Sequence, residues 1–359
     1  KKMLLSAAGN AGGAGPDITE VFSTYLFTPN TSGNFPVTNN IDLDEEGGMV
    51  WMKCRNASQV HLIHDTERFG GSNGGYLRTD NDNGAASTAF FNSFNSNGFT
   101  PKDLQNKEMA SWTWRKAPKF FDCVTYTGDG NSNRNISHDL GSVPGMIIIK
   151  RVDAAGHWGV YHRSLPNETG DYPYMLRLNS NTGQIGSQTI FSSGVTSTDF
   201  KIAHYGSVNA SGGTFVAYLF AHNNNDGGFG PDSDQDIISC GSYTGNGSTV
   251  ANPVTLGWEP QWLLIKQTNV AGNNWVLFDT MRGIATGGDD AYLYPNTSGA
   301  EGNVDRLSVT PTGFSLNSLG SDTNASGSTY IYMAIRRGPL APPEAGTDVF
   351  AIDASPNSS

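Results

Sequence analysis

Trp262-Leu263-Leu264-Ile265-Lys266 is a short apolar run closed by a cation, and the chain writes it three times. Met146-Ile147-Ile148-Ile149-Lys150 and Met49-Val50-Trp51-Met52-Lys53 are the other copies. Runs this short, β-branched or aromatic and bounded by Gly, Asn, Asp or Pro, read as strands. Working outward, Tyr243-Thr244-Gly245-Asn246-Gly247 precedes the third run and Tyr126-Thr127-Gly128-Asp129-Gly130 the second, with Tyr25-Leu26-Phe27-Thr28-Pro29-Asn30 as a worn first copy. A half-alternating stretch follows each run: His61-Leu62-Ile63-His64-Asp65, Trp158-Gly159-Val160-Tyr161-His162 and Trp275-Val276-Leu277-Phe278-Asp279. Aromatic-Leu signatures come next (Tyr76-Leu77, Tyr174-Met175-Leu176, Tyr292-Leu293), then Gly98-Phe99, Asp199-Phe200 and Gly313-Phe314. Closing strands carry Ala110, Ala217 and Ala334 as matching anchors.

The recurrence distance of about one hundred residues exceeds solenoid repeats and matches an independently cored domain. The expected fold is therefore all-β: three tandem antiparallel β-sandwich or jelly-roll-like modules with short linkers. The expected boundaries are a lead-in 1–18, modules 19–115, 120–221 and 235–337, and a Pro-rich tail 338–359. Lys116-Ala117-Pro118-Lys119 is the first joint, and the Asn- and Gly-rich stretch 223–234 a longer linker. Helix is expected only briefly, at Lys2 to Ala8 and Pro101 to Met109. Asn246-Gly247 and Asp129-Gly130 carry hairpin-turn chemistry. Asn209-Ala210-Ser211-Gly212 and Asn324-Ala325-Ser326-Gly327 each precede a closing strand, which suggests a shared structural loop.

The 359 residues carry a net charge of −11, with 15% charged residues. That balance disfavours nucleic acid as a partner, because phosphate binding wants clustered Lys and Arg. No stretch approaches the roughly 20 apolar residues of a membrane span. The apolar core of Lys1 to Gly9 is too short for a signal peptide. Cys54, Cys123 and Cys240 read as small buried hydrophobes, not as a disulfide framework. Asn-x-Ser/Thr triplets such as Asn56-Ala57-Ser58 follow from the abundance of those residues.

Chemistry-bearing patterns are weak. Asp80-Asn81-Asp82-Asn83-Gly84 echoes the start of a calcium loop but lacks the downstream Glu, so it reads as a solvated hairpin tip. Asp232, Asp234 and Asp236 alternate beside a glycine-rich stretch. No Cys/His spacing suggests zinc. Asp42, Asp44, Glu45 and Glu46 form an acidic cluster expected to face water. His64, Asp65 and Glu67 are neighbours, but the second copy offers His162 and Arg163 and the third Asp279 and Arg282, so no shared acid–base residue emerges. Asp65/Arg68 and Asp279/Arg282 keep one offset and read as structural ion pairs. There is no nucleophile elbow, and Gly70 to Gly75 lacks the Lys-Ser/Thr ending of a phosphate loop. Trp112, Trp114, Trp158, Trp258, Trp262 and Trp275 read as core. No catalytic, cofactor-binding or metal-binding residue is assigned, and no cofactor is expected.

The order Tyr-Thr-Gly-Asn-Gly, Gly-x-x-Pro-x-apolar-apolar-apolar-Lys, a Trp strand ending in Asp-x-x-Arg-Gly, then Gly-Phe, then Asn-x-Ser-Gly resembles a repeated domain of unknown function. That domain occurs in tail fibre-like and other virion proteins of marine bacteriophages, including cyanophages. The third copy fits best, over Tyr243 to Gly247, Gly257 to Lys266, Trp275 to Gly283, Gly313-Phe314 and Asn324 to Ala334. The second has His162 at the Asp position, and the first keeps Asp65-Thr66-Glu67-Arg68 without the Tyr-Thr-Gly start. The resemblance implies a structural virion protein, located on the tail or particle surface and engaged in host attachment, and implies no chemistry. Its expected partners are other virion proteins, copies of itself (a trimer, by analogy with phage fibres) and a host-surface glycan. The alternatives are a glycan-binding adhesion module and a polysaccharide-degrading enzyme acting through Asp65 or Glu67.

Overall fold

A computed structural model describes residues 15–340, apart from 31, 71–74, 87–89, 171, 187–190, 192–193 and 285–286. The expected helix at Lys2 to Ala8 and most of the lead-in and tail lie outside the described residues. The rest is antiparallel β-structure with three single-turn helices, and the all-β expectation holds.

The same spatial strand order recurs three times. In the first repeat it is Phe22–Phe27, Met109–Arg115, Gly48–Cys54, Leu62–Asp65. In the second it is Phe121–Thr127, Thr214–Phe220, Met146–Arg151, Gly159–His162, extended by Leu176–Arg177. In the third it is Ile238–Thr244, Thr329–Arg336, Pro260–Gln267, Val276–Asp279. Each large sheet is accompanied by a small one: Val37–Thr38 with Gly98–Pro101 and Phe91–Asn95, Arg134–Ser137 with Asp199–Ile202, and Asn252–Thr255 with Gly313–Leu316 and Leu307–Thr310.

Successive side chains point to opposite faces, and the two central strands of each large sheet are buried on both, whereas the first strand of each is partly exposed. On the strand Gly48–Cys54, Val50 and Met52 pack outward with Phe91 and Phe99 of the small sheet. Met49 and Trp51, on the other face, join a core shared by all three repeats, with Trp112, Ile148, Tyr218, Trp262, Leu264 and Met333. In the third repeat Leu263 and Ile265 turn to a separate outer core with Phe314. Two apolar faces explain why the run reads as continuous hydrophobicity and not as alternation.

The repeats are therefore not independently cored beads in a row. Three equivalent backbone bonds close them into a ring. Ala85 N donates to Val152 O at 2.7 Å, Gln184 N to Thr268 O at 2.6 Å and Glu301 N to Arg55 O at 2.8 Å, linking first to second, second to third and third to first. A heterologous contact repeated in one sense closes when the rotation allows it.

The segment 223–234 is a fastened strap, not a loose linker. Asn223 is buried; its amide donates to Lys119 O at 2.8 Å and its oxygen accepts from Ile237 N and Ile238 N. Phe229 packs on Phe120. Gly15 N donates to Gly230 O at 2.8 Å, and the Asp17 carboxylate accepts from Leu340 N at 2.7 Å, which brings the two ends of the described chain together. Pro101 to Met109 is not helical: Asp103 and Asn106 adopt φ of 58° and 59°, which ends one strand and starts the next.

Candidate functional site

The buried polar residues gather along the seams of the ring. His61, Trp158 and Trp275 immediately precede equivalent strands, and each reaches the neighbouring repeat. His61 Nε2 meets Tyr294 O at 3.2 Å; Trp158 Nε1 donates to Arg78 O and Trp275 Nε1 to Arg177 O, both at 2.9 Å. The ends of those strands do the same. The Asp65 carboxylate accepts from Tyr218 Oη at 2.6 Å, the Asp279 carboxylate from Trp112 Nε1 at 2.9 Å, and His162 Nε2 meets Tyr332 O at 3.0 Å. Burial pushes the His162 imidazole down to about 3, so it crosses the seam neutral.

Asp65 and Asp279 are also ion-paired within their own repeats. Arg68 approaches Asp65 at 2.6 Å and Arg282 approaches Asp279 at 2.5 Å, all four side chains being almost fully buried. Arg282 continues to Glu301 at 3.1 Å, and Glu301 to Arg55 of the first repeat at 2.7 Å. The ion-pair reading of the Asp-x-x-Arg offset holds; the contacts between repeats carried no signal in the sequence. Glu67 lies apart, paired with Lys116 at 3.0 Å.

Lys53, Lys150 and Lys266 are fully buried. Their ammonium groups donate to backbone carbonyls: Cys54 O at 2.8 Å, Arg151 O at 2.6 Å and Asn273 O at 2.7 Å. Two also span seams, Lys53 to Ser298 O at 3.4 Å and Lys150 to Asp82 O at 3.2 Å. Burial lowers each of the three to about 8.

The calcium-loop echo is absorbed by a seam: Asp80 pairs with Arg78 at 3.3 Å, and Asp82 O accepts from Lys150 and from Gly156 N. It is not the solvated hairpin tip that its composition suggests. Asp236 accepts from Asn225 N and Gly227 N. Among the described residues no group of three His, Cys, Asp or Glu side chains converges as metal ligands. Cys54, Cys123 and Cys240 are buried free thiols.

The shared loop before the closing strand is a polar latch. Asn209 and Asn324 are fully buried. Asn209 accepts from Asp129 N and donates to Asn131 O; Asn324 accepts from Asn246 N and donates to Ser248 O. Tyr126 Oη and Tyr243 Oη donate to Val208 O and Thr323 O, each at 2.6 Å.

Two surface recesses depart from the threefold pattern. One, about 500 Å³, lies in the first repeat between Asp44, Glu46, Thr66, Glu67, Phe69 and Lys116, and takes in most of the acidic cluster. The other, about 350 Å³, lies in the third repeat between Thr249, Val304, Asp305, Arg306, Asn317 and Leu319. Arg306 is fixed there: it pairs with Asp322, donates to Tyr294 Oη at 3.2 Å and lies 4.4 Å over the Tyr292 ring. None of these residues stood out in the sequence, because the recess is built from turns rather than from a motif.

Residues 17–339 match the model of a family described as "Domain of unknown function (DUF7483)", and the chain belongs to that family. No curated protein and no solved structure matches the chain.

Proposed function

We propose that this member of the DUF7483 family is a structural virion protein, part of a bacteriophage tail fibre or similar surface appendage that takes part in host attachment. The observation that carries this reading is the use of the polar residues. Asp65, Arg68, His162, Asp279 and Arg282, the side chains with the most chemical potential, are buried and bonded in seams or strand ends. Three similar units locked by such bonds form a stiff body whose outer loops vary, which suits adhesion. The ordered motifs described for the sequence supply the link to virion proteins, and a trimer of such chains belongs to the same proposal.

The test is particle composition. Mass spectrometry and antibody labelling of purified particles are expected to find the protein on the tail or surface, with a native mass that is a multiple of the chain. Its absence from particles that infect normally overturns the reading.

A second reading, a glycan-binding module independent of a particle, draws on the recess of the third repeat. Polysaccharide cleavage through Asp65 has less support, since that carboxylate is held by Tyr218 and Arg68 inside the core.

A further inference from the structure

We propose that Asn83–Gly84 is a self-modification site: the Asn83 carboxamide converts to aspartate and isoaspartate, which loosens the seam between the first and second repeats. The chain holds four Asn-Gly pairs, at Asn73, Asn83, Asn97 and Asn246, and the first lies outside the described residues. In such a pair the glycine amide nitrogen can attack the Asn side-chain carbon, because glycine has no Cβ to obstruct the five-membered ring. What already holds those two groups decides where the attack occurs.

At Asn246 both are held. Gly247 N donates to Asn324 O at 2.8 Å, and the Asn246 carboxamide donates to Val250 O and accepts from Ser248 N and Asn324 Nδ2. At Asn97, the following Gly98 is a strand residue level with Asn95 and Thr38, and Asn97 O accepts from Asn39 N and Asn40 N. Asn83 differs. It is exposed, and among the described residues none bonds its carboxamide or accepts from Gly84 N. The residues on either side are anchored across the seam: Asp82 O accepts from Lys150 Nζ and Gly156 N, and Ala85 N donates to Val152 O. Asn83 stands two residues before its ring-closing donor; Thr182 and Gly299 hold that place in the other seams and have no carboxamide to convert.

The reaction needs only water. Gly84 N loses its proton and bonds to Asn83 Cγ, the Cγ–Nδ2 bond breaks, and ammonia leaves. Water then opens the cyclic imide. Cleavage at Cγ gives aspartate; cleavage at the original carbonyl carbon routes the chain through Cβ and Cγ and gives isoaspartate, with one more main-chain carbon. That carbon falls between the anchors Asp82 O and Ala85 N, where even a Cβ on Gly84 would stand 2.6 Å from Val152 O. The longer chain cannot keep both anchors in so tight a seam.

The test ages the native full chain in heavy-oxygen water at neutral and mildly alkaline pH, followed by peptide mapping with mass spectrometry. The Asn83 peptide is expected to gain the label about tenfold or more faster than the Asn97 and Asn246 peptides, since a hydrogen bond that must break slows the attack about tenfold. In urea the three rates are expected to converge. Isoaspartate chains, separated chromatographically, are expected to show a folding constant about tenfold lower than fresh protein, one seam bond being lost. Asn83→Gln and Asn83→Asp, neither of which lengthens the main chain, are expected to stay level with fresh protein. Three results each overturn the proposal: native Asn83 converting no faster than Asn246, a preference for Asn83 that survives in urea, or isoaspartate chains as stable as Asn83→Asp. None of them bears on particle composition, so the attachment reading stands or falls separately.

Discussion

Single side chains in the interior set how the protein responds to pH and to truncation. The ammonium groups of Lys53, Lys150 and Lys266 sit near 8, against about 10.4 in an unfolded chain. Between those values the unfolded chain binds more protons, so stability rises with pH above about 8 and is flat with respect to these groups below it. Burial raises the phenols of Tyr126, Tyr218 and Tyr243, which reverses the trend above about 10, where unfolded tyrosines ionise. Urea midpoints taken across this range are expected to climb and then fall. Lys266→Met, at the position where burial is the sole cause of the shift, is expected to remove about one third of the climb. An unchanged slope in that variant contradicts the assignment. Asp279→Asn leaves Arg282 buried without its closest countercharge and is expected to cost about 3–5 kcal/mol in urea unfolding.

At the level of strands and loops, two of the three ring-closing bonds leave no room for a side chain. A Cβ on Gly183 would stand 2.7 Å from Thr268 O, and one on Gly84 2.6 Å from Val152 O; the third copy has Ala300 at this place. Gly183→Ala is expected to destabilise by about 1–3 kcal/mol, while Ala300→Gly stays within about 1 kcal/mol, both read by chemical denaturation. The repeated strands were legible from their composition, but their register was not. Pairing places Ala110 level with Val216 and Ile331, so the three Ala anchors are offset by one and by three residues. Likewise Phe27, opposite Met109, and not Tyr25, occupies the place of Tyr126 and Tyr243. Where both faces of a strand are apolar, a shift along it changes no polarity and leaves no mark in the sequence. Polar loops such as Asn209-Ala210-Ser211-Gly212 were legible because their bonding demands particular side chains.

For the molecule as a whole, the central core and the seams make the repeats interdependent. Tandem copies at hundred-residue spacing suggest beads, because spacing carries no information on which copies touch and the ring-closing bonds are made by backbone. Trp51, Ile148 and Leu264 meet in one core. Calorimetry is therefore expected to give one transition with equal calorimetric and van't Hoff enthalpies. A fragment spanning 235–337, stripped of its seam partners Arg177 and Trp112, is expected to remain unfolded by circular dichroism. Three resolved transitions, or a folded fragment, contradict this.

The bond from Leu340 to Asp17 has a consequence for how the molecule is reordered or embedded. Entry and exit stand side by side, so polypeptide arriving at one leaves from the same spot. A gene rearranged to fuse those ends and open the exposed stretch at Val250–Ala251 would keep every strand neighbour it has now. By the same token, the whole body can hang as a pendant lobe from a host loop without stretching it.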